Sequence, residues 1–371
     1  MKKSLLLIIL LMMTQSILHA IDPAEGFEIN RGVNISHWLS QVVEADEPMP
    51  SRQDLFTEQD VIFLKHAGFD HIRLPVDEKE LWDEDGNKIT SAFAFLHSAV
   101  QWAERADMRI ILDLHIVRSH HFNAGNDGGH NTLFEDEAAQ TVFLSLWDDL
   151  MDEMNRYPVN LLAYEIMNEP VADDPEDWNQ LILRCYNRVR EREPNRVLIF
   201  GANMWQFIDN LGILAVPEND PNIILSFHFY EPMPITHYKA SWTPLRDYDG
   251  PIHYPGKGIR KEDVENKGHS KELENVPDFY NPDFTEDYLY QRMGQAIKVA
   301  TEKGLRLYCG EWGCYIQTPR DIRLAWYKDM VNVLDHYGIA WTIWDYKGGF
   351  RIVNPFTHEV DWELIHILTD K

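Results

Sequence analysis

The sequence predicts a (β/α)8 barrel of the TIM type, built as a single domain. Three observations lead there. Eight short runs rich in branched apolar residues recur along the chain, separated by longer segments of helical periodicity. The runs are continuously apolar rather than alternating, as expected of parallel strands covered on both faces. The chain has 371 residues, 44% of them apolar, which suits one large α/β barrel.

The strand candidates are 32–35, 71–75, 109–115, 161–169, 197–201, 223–230, 306–313 and 340–346. Helices fill the gaps. Asp174 caps a helix with Pro175 in its first turn, and Trp178, Leu181, Ile182, Cys185, Tyr186 and Val189 form one face. Thr57 caps a segment carrying Val61, Ile62 and Leu64 that ends at Gly68. Thr318 and Pro319 open another, with Ile322, Trp326, Leu334 and Tyr337, closed by Gly338. The regular spacing breaks once. Residues 231–288 form a Pro-, Tyr- and Asp-rich stretch that includes Trp242, Tyr248, His253, Tyr254 and Tyr280. A loop of that length rich in aromatics is expected to stand over the C-terminal face and wall a cleft.

Residues 1–20 read as a secretory signal peptide. Lys2 and Lys3 precede an apolar run over 5–13, and the segment ends at the small Ala20. That run is too short to span a bilayer, and Ile21 is not the cysteine of a lipid anchor. The catalytic domain is therefore expected over 21–371, exported to the periplasm or the exterior, without membrane insertion and as a monomer. A net charge of −26 argues against nucleic acid or anionic membranes as partners and raises no objection to a neutral polysaccharide. Cys185, Cys309 and Cys314 are too few for a disulfide scaffold. Cys185 reads as a buried apolar residue, and Cys309 and Cys314 as free thiols.

In such a barrel the reacting groups sit at the C-terminal ends of the strands. Those ends offer Arg73, Asp113 and His115, Asn168 and Glu169, His228 and Tyr230, Glu311, and Trp344 with Asp345. Two glutamates ending two buried strands, Glu169 and Glu311, are what acid/base glycoside chemistry needs: one gives a proton to the leaving oxygen, the other attacks or stabilises the anomeric carbon. Asp113 is read as structural and as pointing away from His115. Asp345 fits either role, and His37 to Ser40 fit equally a cleft edge or a structural corner.

The motifs carry a resemblance to glycoside hydrolase family 5, the cellulase-like retaining hydrolases. It rests on Arg73 in His-Ile-Arg-Leu-Pro, His115 in Leu-Asp-Leu-His, Asn168-Glu169-Pro170, His228-Phe229-Tyr230, Gly310-Glu311-Trp312-Gly313 and Trp344. The resemblance implies that Glu169 is the acid/base and Glu311 the nucleophile. It implies that Arg73 and Tyr230 support Glu311, that Asn168 reaches the sugar 2-hydroxyl, and that His115, His228 and Trp344 contact substrate. No cofactor or metal is implied. The expected substrate is a β-linked polysaccharide, with endo-β-1,4-glucanase action leading. Exo-acting β-1,3-glucan glucosidase, β-mannanase and xyloglucanase are alternatives within the class. The chain departs from the family pattern after His115, where Ile116 to Asn123 replaces a Gly and Pro-Gly turn, which bears on substrate rather than on reaction. Two readings of other classes compete: a metal-dependent hydrolase using His115, His120, His121 and His130, and a non-catalytic carbohydrate-binding barrel.

Overall fold

The computed structural model describes residues 26–42, 49–124, 130–267 and 283–370. The expected signal peptide and Tyr280 lie outside them. All eight predicted runs form strands, which pair in parallel and in chain order into a closed barrel. They are β1 (Arg31–Asn34), β2 (His71–Asp77), β3 (Arg109–Ile116), β4 (Leu162–Glu165), β5 (Leu198–Gly201), β6 (Ile223–Phe229), β7 (Arg306–Trp312) and β8 (Ala340–Ile343). β4 stops earlier than its apolar run suggests. The chain beyond it still leans on β3, where Asn168 N donates to Leu114 O at 3.1 Å.

Helices follow the strands and cover the barrel. In Pro175–Arg192 the Asp174 carboxylate accepts from Glu176 N, and Trp178, Leu181, Ile182, Cys185 and Val189 are buried, which is the face expected from their spacing. Arg320–Tyr337 ends at Gly338 with φ 64°, a left-handed cap. Its start differs from expectation. Pro319 is the flanking residue, and Thr318 Oγ1 donates instead to Ile235 O at 2.7 Å. The three cysteines are buried free thiols. Among the described residues no helix is long and apolar enough to cross a membrane.

Two apolar regions lie within this layering, and a third small cluster of Ala240, Tyr315, Trp344 and Phe350 lies at the cleft. The larger lies between barrel and helices. The smaller, with Ile111, Ala163, Ile199, Ile224 and Tyr308, fills the lower barrel interior. Side chains alternate in and out along a strand. The next inward positions toward the C-terminal ends are therefore Asp113 above Ile111, Glu165 above Ala163 and Ser226 above Ile224, all fully buried. The interior turns from apolar to polar within one step of the alternation, and the polar layer supports the site above it.

Candidate active site

Arg73 stands at the centre of the polar layer with no exposed surface. Its Nε donates to Glu165 Oε2 at 2.7 Å. One terminal nitrogen donates to Glu311 Oε1 at 2.6 Å and Asn34 Oδ1 at 3.0 Å. The other donates to Asn168 Oδ1 at 2.9 Å and lies 3.1 Å from Asp113 Oδ2. The planar fork of a guanidinium suits such divergent bonding. Arg73 thereby ties together residues of β1, β2, β3, β4 and β7.

Glu311 reaches the interior through a break in the ladder. Phe227 pairs with Cys309 but His228 pairs with Glu311, so β7 carries an extra residue at Gly310. Such a bulge re-aims the side chains beyond it. A Cβ on Gly310 would lie 2.8 Å from Ser226 Oγ, so this inward position has to be glycine. Trp312 then points out into the large core, while Glu311 faces the cleft and accepts from Tyr230 Oη at 3.0 Å.

Glu169 lies across from it. Its Oε1 is 2.8 Å from Nδ1 of His228, which is 3.6 Å from Glu311 Oε2. One oxygen of each glutamate and one ring nitrogen of His228 fall within 4.8 Å of one another. That separation is close to the roughly 5–5.5 Å between carboxyls in retaining glycosidases, and below the ~6.5–9.5 Å that admits a water between them in inverting ones.

Three carboxyls pair with one arginine and Glu169 feels its charge, and the electrostatics follow. Burial raises Glu169 well above the ordinary carboxyl range, and the charge of Glu311 raises it further, against Arg73. Burial also raises Glu311, but Arg73, His115 and the Tyr230 hydrogen bond oppose the rise. The proton therefore favours Glu169. Burial pushes Asp113 up to about 7 against the pull of Arg73. Burial and Arg73 hold His228 well below the usual imidazole range, so it is neutral.

Asp113 corrects the sequence reading. Positions two apart on a strand share a face, and Asp113 Oδ2 lies 2.7 Å from Nδ1 of His115. Asp113 points with His115, not away from it. The His115 ring stacks on Trp344 with centroids 5.5 Å apart and planes 6° apart. Asp345 is fully buried and accepts from Ser36 Oγ and, at 3.3 Å, from Phe350 N.

The cleft above this layer has a volume of about 1430 Å³. His115, Asn168, Glu169, His228, Tyr230, Glu311 and Trp344 line it, while Arg73 lies beneath. After β1, His37 reaches the cleft but Trp38 is core. The stretch after β6 contributes Met233, His237 and Trp242 to the wall, and Tyr254 fastens it to the helix Arg320–Tyr337 through Asp329 at 2.8 Å. The loop histidines disperse. His120 is buried and accepts from Val171 N at 3.2 Å. His121 stacks on Phe122, and His130 pairs with Glu135. Among the described residues none of these three joins a group of convergent ligand-type side chains.

Sequence reasoning missed Glu165, Asn34 and Gln206. Glu165 had a signal: a lone charge at the end of the buried apolar run that forms β4. Asn34 ends β1, where its Nδ2 donates to Gly310 O at 3.1 Å. Gln206 had no signal, because it sits in a loop.

A (β/α)8 barrel carrying two buried, unequally protonated glutamates over one cleft is a glycoside hydrolase. The chain belongs to the family described as cellulase, glycosyl hydrolase family 5, whose model matches residues 35–349. It is 31% identical over 344 residues to Endoglucanase C of Acetivibrio thermocellus, covering 91% of this chain and 97% of that one. It is 27% identical to Cellodextrinase A of Ruminococcus flavefaciens, with 84% of each covered. Its fold is similar to that of endoglucanase Cel5A from the hyperthermophilic Thermotoga maritima, with TM-score 0.71, 21% identity and coverage of 92% of this chain and 98% of that one.

Proposed function

We propose that the protein is an endo-acting β-1,4-glucanase that cleaves with retention of anomeric configuration. Glu311 is its nucleophile and Glu169 its acid/base. The single observation carrying the mechanism is the close approach of two buried carboxyls in unlike surroundings: Arg73 and Tyr230 on Glu311, His228 on Glu169. Glu169 gives its proton to the glycosidic oxygen as Glu311 attacks the anomeric carbon, forming a glycosyl ester and releasing the chain beyond the bond. Esterification removes the charge that, after burial, most raises Glu169. Glu169 then takes a proton from water, which attacks the anomeric carbon and breaks its bond to Glu311, freeing that carboxylate. Asn168 Nδ2 is buried without a partner among the described residues, which suits a bond to the sugar 2-hydroxyl. Trp344 offers its face to the sugar at the point of cleavage. Export through the leader at 1–20 suits a polymeric substrate outside the cytoplasm.

The substrate reading draws on relatives named as endoglucanases, and the cellodextrinase relative favours a second reading, action on short chains. The test is a product profile. Protein from Ile21 onward and its Glu311→Gln variant would be incubated with cellulose derivatives, lichenan, laminarin, mannan, xyloglucan and xylan. Mid-length products from β-1,4-glucans, absent with the variant, are expected. Release only from short oligomers would favour the second reading, and a mannan or laminarin preference would replace the first. An inverted anomer in early proton NMR spectra would refute the covalent route.

A further inference from the structure

The turn after β5 has an unusual backbone. Met204, Trp205 and Gln206 have consecutive positive φ values of 56°, 55° and 56°, with no glycine among them. Left-handed backbone at side-chain-bearing residues persists only where the surroundings enforce it, and such strain concentrates at functional sites. Here the turn drives Gln206 inward, where it has no exposed surface. Room exists because position 201 is glycine: a Cβ there would lie 2.2 Å from Gln206 Nε2.

Gln206 is bonded at three points. Its Oε1 accepts from the backbone N–H of Glu169 at 3.1 Å. Its Nε2 donates to Glu165 Oε1 at 3.3 Å. Its carbonyl accepts from His228 N at 3.0 Å. Glu169 is itself left-handed, with φ 42°, and its carboxyl meets His228. One residue therefore holds the strained backbone of Glu169 and the backbone of the histidine paired with its carboxyl. The flanking Trp205 and Phe207 line the cleft.

We propose that Gln206 is the positioning residue of the acid/base: it holds Glu169 and His228 in the relation that lets Glu169 protonate the leaving oxygen. This rests on the assignment of Glu169 as that acid. Gln206 touches no reacting atom.

The test uses Gln206→Leu and Gln206→Met, of similar size and without amide groups. Phenyl and dinitrophenyl β-cellobiosides serve as substrates with poor and good leaving groups. Glu169→Ala is run beside them. General-acid assistance contributes roughly 10²–10⁴-fold, and disturbing its geometry is expected to forfeit about tenfold or more on the phenyl substrate. The loss on the dinitrophenyl substrate should stay within about threefold, since that leaving group needs little protonation. The basic limb of the kcat/KM profile should also move. Equal losses on both substrates with an unmoved profile, or no loss, would overturn the proposal. So would loss of the cooperative thermal transition in both variants, which would make Gln206 a folding residue. If Glu169→Ala itself fails to separate the two substrates, the acid assignment falls; if it separates them and the Gln206 variants do not, the positioning role alone falls.

Discussion

Nδ1 of His228 lies 2.8 Å from Oε1 of Glu169 and 3.6 Å from Oε2 of Glu311. A neutral imidazole thus bonds to Glu169 and lies beside Glu311, between two carboxyls that cannot both ionise cheaply. The pair titrates as a unit, and the bonds on each side decide which member keeps the proton.

Removing the nucleophile is the most severe change. Glu311→Gln should lower kcat by roughly 10⁴-fold or more, as loss of a covalent nucleophile does in other hydrolases. Glu311→Gly should regain part of its activity with azide and yield a glycosyl azide, detected by mass spectrometry. Near-normal turnover in either variant would end the assignment.

Glu169→Ala should discriminate between leaving groups. Hydrolysis of cellodextrins should fall by about 10²–10⁴-fold, while dinitrophenyl glycosides should still glycosylate the enzyme at near-normal rates. Steady-state and burst kinetics on both substrates separate the two steps.

Tyr230→Phe should move one limb of the pH profile. Activity needs Glu311 ionised and Glu169 protonated, so it rises as Glu311 loses its proton and falls as Glu169 does. The Tyr230 bond lowers Glu311. Its loss should raise the acidic limb of kcat/KM to higher pH and lower kcat about tenfold, the worth of one hydrogen bond to a charged group. A shift of the acidic limb to lower pH would contradict the assignment.

Asp113 should leave a mark on stability. Its pKa rises from 3.8 to about 7 on burial, so the folded protein holds this proton more tightly than the unfolded chain. The resulting stabilisation is fully present below 3.8 and lost as pH rises through about 7. Asp113→Asn cannot ionise. The Tm of the wild type minus that of the variant should therefore fall across this window in calorimetric scans. A difference that rises with pH would mean that Arg73 outweighs burial.

The strands were legible because parallel barrel strands are buried on both faces and leave unbroken apolar runs. The glutamates were legible because a charge closing such a run has no packing explanation. Glu165 was legible in principle and missed. Asp113 was seen but given the wrong direction, although its spacing from His115 settles the face. Gln206 was out of reach. Its position depends on a turn whose three left-handed residues, Met204 to Gln206, are neither the glycine nor the asparagine by which such backbone is usually found.

By itself the sequence determined the barrel, the order of its strands and most of the polar residues at their C-terminal ends, since burial on two faces and period-2 alternation are properties of the chain. The tertiary structure decided which of those residues meet. Simple alternation along β7 would put Glu311 on the outward face with Cys309. The bulge at Gly310 turns it inward, and that bulge takes form only as β7 pairs with its neighbours β6 and β8. The unequal pull on the proton likewise arises from burial, from the charge of Glu311 acting on Glu169, and from Arg73, His115 and Tyr230 acting on Glu311, brought from distant strands into one layer where water no longer screens them.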